Sequence, residues 1–92
     1  MEFYLISYDI PNTKRRTKIA NLLLEYGGRV QLSVFEVWLD TRTKKQLFER
    51  LQKQVNADED NIRIYQFCKI CKDKVDVIGN GTPPQAPDAI II

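Results

Sequence analysis

The sequence predicts a small α+β domain in the order strand, helix, strand, strand, helix, strand. Three observations predict it. Aromatic and β-branched residues crowd the segments 3–10, 29–40 and 62–68 in the manner of strands. The intervening segments 13–26 and 43–55 repeat apolar residues at helical spacing. The 92 residues are enough for one such domain and leave little for a second.

Each element follows from its residues. Phe3 to Ile10 reads as a strand that is apolar on both faces, with Phe3 and Leu5 on one and Tyr4, Ile6 and Tyr8 on the other. Asp9 closes the run and Pro11-Asn12 breaks it. In the first helix Ile19, Leu22, Leu23 and Tyr26 stand at i, i+3, i+4 and i+7. Asn12 or Thr13 caps its start, and Gly27-Gly28 supplies a stop. Arg29 to Asp40 is long for one strand, so a tight reversal near Ser33–Phe35 is expected, although no Gly, Pro or Asn marks it. In the second helix Thr43 and Gln46 fit a capping box, and Leu47, Leu51 and Val55 form a stripe with Phe48 beside it. Asp58 to Asn61 is a loop, and Ile62 to Cys68 a further strand. Val75–Ile78 reads as a short extra strand. Residues 1–78 thus make one domain, and 79–92, with Gly79, Gly81, Pro83, Pro84 and Pro87, a C-terminal tail.

The order of elements is the ferredoxin-like βαββαβ pattern, in which two helices cover one sheet face. The first strand is apolar on the other face as well, and Trp38 and Tyr65 add aromatic surface. That face needs cover, and a second copy of the chain is the simplest source, most soluble oligomers being symmetric. A domain this small buries only about 60–65% of its unfolded surface, which also favours association.

Composition narrows the chemistry. The chain has no His, which removes Ser-His-Asp and Cys-His catalysis and His-based zinc sites. Cys68 and Cys71 form a single CxxC. Zinc needs about four ligands, and a redox CxxC usually opens a helix, so these are read as buried or half-buried thiols. No apolar run approaches the roughly 20 residues of a membrane span. Met1-Glu2-Phe3 lacks the basic start of a signal peptide, so a cytoplasmic protein with no membrane partner is expected.

The net charge of +2 says little about partners, but its distribution says more. Lys14, Arg15, Arg16 and Lys18 crowd the start of the first helix, against the positive end of its dipole, at about 0.3–1 kcal/mol each. A phosphate backbone would meet free N–H groups and basic side chains together there; a solvated basic patch is the plain alternative. Asp9, just before this turn, either holds a divalent cation beside a phosphate or caps the turn or pairs with Arg15 or Arg16. One carboxylate makes a poor Mg²⁺ site. Two copies of Asp9 across a two-fold axis would make a better one, and two such charges would themselves demand a cation. Arg29 follows Gly27-Gly28 and reaches the same region. Phe35 shapes or stacks within the site, or packs the core, while solvation at strand edges accounts for Glu36 and Asp40.

Tyr8-Asp9-Ile10, the Lys14-Arg15-Arg16-Thr17-Lys18 run and Gly27-Gly28-Arg29-Val30-Gln31-Leu32-Ser33-Val34-Phe35-Glu36 together resemble the CRISPR-associated endonuclease family of the spacer-acquisition machinery, over roughly the first 68 residues. The resemblance implies a ferredoxin-like homodimer with one Mg²⁺ or Mn²⁺ between its two Asp9 residues. It implies cleavage of single-stranded RNA or double-stranded DNA, and action with the CRISPR integrase. Tyr8, Asp9, Arg16 and Phe35 are carried over as catalytic positions. Lys14, Arg15, Arg16, Lys18, Arg29 and Ser33 are carried over as nucleic-acid contacts. Lys18 stands where some members have arginine, which keeps the charge and loses a bidentate grip. Val75–Ile78 matches a strand that members send to the partner's sheet. The metal would activate water and polarise the phosphate, while Arg16, Lys18 and Arg29 position the backbone. Two rivals stand beside this: a DNA-binding scaffold dimer without turnover, and a toxin-like messenger-RNA endonuclease.

Overall fold

The computed structural model of the chain describes residues 1–67 and positions 76, 78 and 79. Six elements follow one another: β1 (Glu2–Asp9), α1 (Thr13–Leu24), β2 (Gly27–Gln31), β3 (Val34–Leu39), α2 (Thr41–Gln54) and β4 (Asn61–Phe67). All neighbouring strands are antiparallel, in the order β2-β3-β1-β4. This is the predicted α+β architecture. The extra strand expected at Val75–Ile78, the Cys68–Cys71 pair and most of the 79–92 tail lie outside the described residues.

Alternation along the central strands sorts the side chains into two layers. Tyr4, Ile6 and Tyr8 of β1 and Ile10 just after it join Phe35, Val37 and Leu39 of β3 beneath the helices. Ile19, Leu22 and Leu23 of α1 and Leu47 and Leu51 of α2 close the core from above. Full burial of each such aliphatic or aromatic side chain contributes about 1.5–3 kcal/mol. The opposite face has no helix on it. There Phe3 lies against Trp38 and Phe67, with ring centroids 5.1 and 5.7 Å away. Leu5 is flanked on the register by Glu36 and Tyr65.

Several boundaries differ from expectation, each for a physical reason. The first helix ends at Leu24, with right-handed Glu25 as its cap. Gly27 and Gly28 open β2 rather than stopping the helix. Gly27 is needed for proximity: a Cβ there would overlap the Glu36 carbonyl oxygen and Val37 of β3. The reversal falls at Leu32-Ser33, one residue early, and the Tyr8 hydroxyl, 3.0 Å from the Leu32 carbonyl oxygen, holds it. Asp40 caps α2. Its carboxylate accepts from the Thr43 N–H at 2.7 Å while Thr43 Oγ1 accepts from the Asp40 N–H at 2.9 Å. The capping box is therefore Asp40 with Thr43, and Gln46 instead accepts a hydrogen bond from the Tyr26 hydroxyl.

Candidate active site

Asp9 is the last residue of β1 and pairs on the register with Asn61 of β4. Alternation puts its side chain on the helix-free face with Leu5 and Ser7. It is exposed, and among the described residues its carboxylate makes no hydrogen bond or ion pair. Neither structural role open to it in the sequence is taken. Asn12 caps α1, accepting from the Arg15 N–H at 2.9 Å. Arg15 and Arg16 both turn to other partners. Among the described residues no three His, Cys, Asp or Glu side chains gather to hold a metal. At this strand end the chain thus offers, among the described residues, one free carboxylate, which fits half of a divalent-cation site.

Behind Asp9 the strand end is tied down. The Tyr8 N–H donates to the Ser33 carbonyl at 3.1 Å, which anchors the β2–β3 turn to β1. Tyr8 stacks on Phe35 with centroids 6.2 Å apart, and the Arg29 guanidinium lies 5.2 Å from the Phe35 ring centre. Phe35 itself is completely buried. The ring expected among the catalytic groups therefore packs in the core, with the exposed Arg29 lying over it.

The basic helix start divides into two kinds of side chain. Arg16 folds back on the β1–α1 turn, its guanidinium donating to the Ile10 carbonyl at 2.9 Å and to Thr13 Oγ1 at 3.2 Å. It stiffens the segment that follows Asp9. Arg15 points to the loop before β4, where it grips Asp60 at 2.8 Å and Glu59 at 2.7 Å. That clamp holds the Asp60 carboxyl below its ordinary range, chiefly through the Arg15 hydrogen bond. Lys14 and Lys18 are exposed and have no partner among the described residues. Of the cations expected to meet nucleic acid, these two are free.

Pairing also brings in residues that sequence reasoning passed over. Asn61 stands opposite Asp9 and Arg63 opposite Ser7, both exposed on the face that carries Asp9. Alternation of Asn61, Arg63 and Tyr65 with Ile62 and Ile64 was a readable signal. The register that sets them beside Asp9 was not. Glu36, half-buried on the same face, has its carboxyl pushed up by burial.

Comparison with known proteins decides the family. The sequence pattern described as CRISPR associated protein Cas2 matches residues 1–75. The chain belongs to this Cas2 family. A Cas2 from Chloroflexus aurantiacus, named a CRISPR-associated endoribonuclease, is 45% identical over 91 residues, spanning 98% of both chains. A Thermus thermophilus Cas2, named an endonuclease, is 40% identical and covers 97% of this chain and 94% of its own. Among solved Cas2 structures, that of Streptococcus pyogenes at pH 6.5 superposes with a TM-score of 0.73 at 32% identity, over 84% of this chain and 99% of its own. A chain from a partial Cas6-RT-Cas1–Cas2 complex reaches 0.79 at 39% identity over the whole of both chains.

Proposed function

We propose that this Cas2 protein is a divalent-metal-dependent endonuclease subunit that works as a symmetric homodimer in spacer acquisition. The reading is carried by one observation: Asp9 is a free, exposed carboxylate on a sheet face that carries Phe3, Leu5, Trp38 and Tyr65 and has no helix over it. Two copies joined through that face would bring two Asp9 residues together, which supplies the second half of a Mg²⁺ or Mn²⁺ site. The two Asp9 carboxylates would hold the cation, which would supply polarisation of the scissile phosphodiester and an activated water. The chain's own residues do the rest. Arg16 and the Tyr8–Ser33 bond keep the Asp9 segment in place. Lys14, Lys18 and Arg29 take the phosphates of DNA or RNA on exposed positive charge. Relatives named endoribonuclease and endonuclease support a nuclease role.

The decisive measurement is cleavage of single-stranded RNA and duplex DNA across a Mg²⁺ and Mn²⁺ titration. Asp9→Asn is expected to lower the rate at least about 100-fold, the scale on which removing one electrostatic catalytic group acts. Its melting temperature should stay that of the wild type, since Asp9 supports nothing internal. Undiminished cleavage by Asp9→Asn would overturn the mechanism.

A scaffold role is the second reading, favoured by the neighbour solved within a Cas1–Cas2 assembly. Under it the dimer bridges DNA for the CRISPR integrase without turning over. Asp9→Asn would then still support spacer acquisition in cells while failing to cleave in vitro.

A further inference from the structure

The helix layer is far more basic than the chain as a whole. Together α1 and α2 carry nine of the 14 Lys and Arg residues and, in Glu49, one of the 12 acidic ones. Four of the nine are already placed. Arg15 and Arg16 are engaged as described above. Lys44 lies over the Tyr4 and Phe48 rings at 5.5 and 5.6 Å from their centres. Arg50 donates to both Glu25 carboxylate oxygens, at 3.0 and 3.1 Å, and to the Tyr26 hydroxyl at 3.1 Å.

Between the helices runs a groove of about 430 Å³, lined among others by Lys18, Leu22, Glu25, Arg50 and Lys53. Its one carboxylate, Glu25, is committed to Arg50 through both oxygens, and that pairing holds the Glu25 carboxyl low. Lys18 and Lys53 have no partner among the described residues. Lys14 stands one helical turn from Lys18 on the same side of α1 and extends the cationic line. Like charges gathered in one groove repel unless an anion lies between them.

The lining also says which anion. It offers no aromatic ring for a base to stack on, and such platforms are what single strands use. Lysines grip phosphate as point charges without reading bases. We infer that the α1–α2 groove is a second seat for the phosphate backbone of a nucleic-acid duplex, anchored by Lys18 and Lys53 and separate from Asp9 on the opposite sheet face. This rests on the nucleic-acid-binding reading above and adds a surface and a residue, Lys53, to it.

Salt dependence of duplex DNA binding tests it, with the full-length protein and metal held constant. Each phosphate contact contributes about 0.9 to the slope of log K against log salt concentration. Lys53→Gln should flatten the slope by about 0.9 per engaged protomer, and Lys18→Gln/Lys53→Gln by about twice that. Lys45→Gln, the same charge change on an exposed residue of α2 about two turns from Lys53 and outside the groove lining, should leave the slope alone. Wild-type slopes in both lysine variants would overturn the groove assignment and remove Lys18 from the proposed phosphate contacts, while the Asp9 metal site would still stand or fall on its own cleavage test. Weakened binding to a purified protein of the acquisition complex, with the DNA slope unmoved, would mark an acidic protein surface as the occupant and overturn it too. Absence of duplex binding by the wild type would remove the nucleic-acid reading itself and the groove with it.

Discussion

Tyr8 shows how one side chain can be both core and site. Its ring packs under the helices while its hydroxyl reaches the Leu32 carbonyl at 3.0 Å. Tyr8→Phe keeps the packing and loses the bond, so it should cost about 1 kcal/mol in urea unfolding. The effect on cleavage is expected to exceed that on stability, because the freed turn carries Ser33 and ends the strand that bears Arg29. Glu36 behaves in the opposite sense. Burial raises its carboxyl above the unfolded value, so its ionisation costs stability as pH rises through the folded pKa. Glu36→Gln should therefore raise the melting temperature at pH 7. The gain should vanish below about pH 4, where the carboxyl is protonated in folded and unfolded chains alike.

Between elements, the Arg15–Asp60 clamp ties α1 to the loop that leads into β4. Asp60 accepts from Arg15 and from the Asn56 N–H at 2.8 Å, and its pKa is lowered as a result. A lowered carboxyl stabilises the fold above its unfolded pKa and loses that contribution as pH falls through the folded one. Asp60→Asn should melt below the wild type at neutral pH, and the two curves should converge in acid; a constant gap at every pH would refute the charge-based account. Gly27 governs the β2–β3 contact. Gly27→Ala must push β2 away from the Glu36 carbonyl, at about 1–3 kcal/mol, measurable by denaturant titration. The neighbouring Gly28→Ala meets open space and serves as the control.

For the whole molecule, the proposed function makes the helix-free face the place where association and chemistry meet. Tyr65 is exposed there, across from Leu5. Tyr65→Asp puts a charge into the proposed junction without touching the helix-side core. Sedimentation velocity should show a folded monomer, and metal-dependent cleavage should fall with the dimer because the two Asp9 residues separate. A dimer that survives this change would remove the face from the interface.

By itself the sequence determined the element order and the helix-side core, because hydrophobic periodicity is local and Ile19, Leu22, Leu23, Leu47 and Leu51 report it directly. It also singled out Asp9, the basic turn and the family, since these lie within short continuous stretches. Tertiary structure alone decided the rest. The Leu32-Ser33 reversal has no turn residue and is held by Tyr8, more than 20 positions away in the chain. Whether Arg15 meets phosphate or Asp60 depends on a loop brought close by folding. That Asn61 and Arg63 share a face with Asp9 depends on strand register. Such partnerships join residues distant along the chain, and no local pattern encodes which of the possible pairings folding selects.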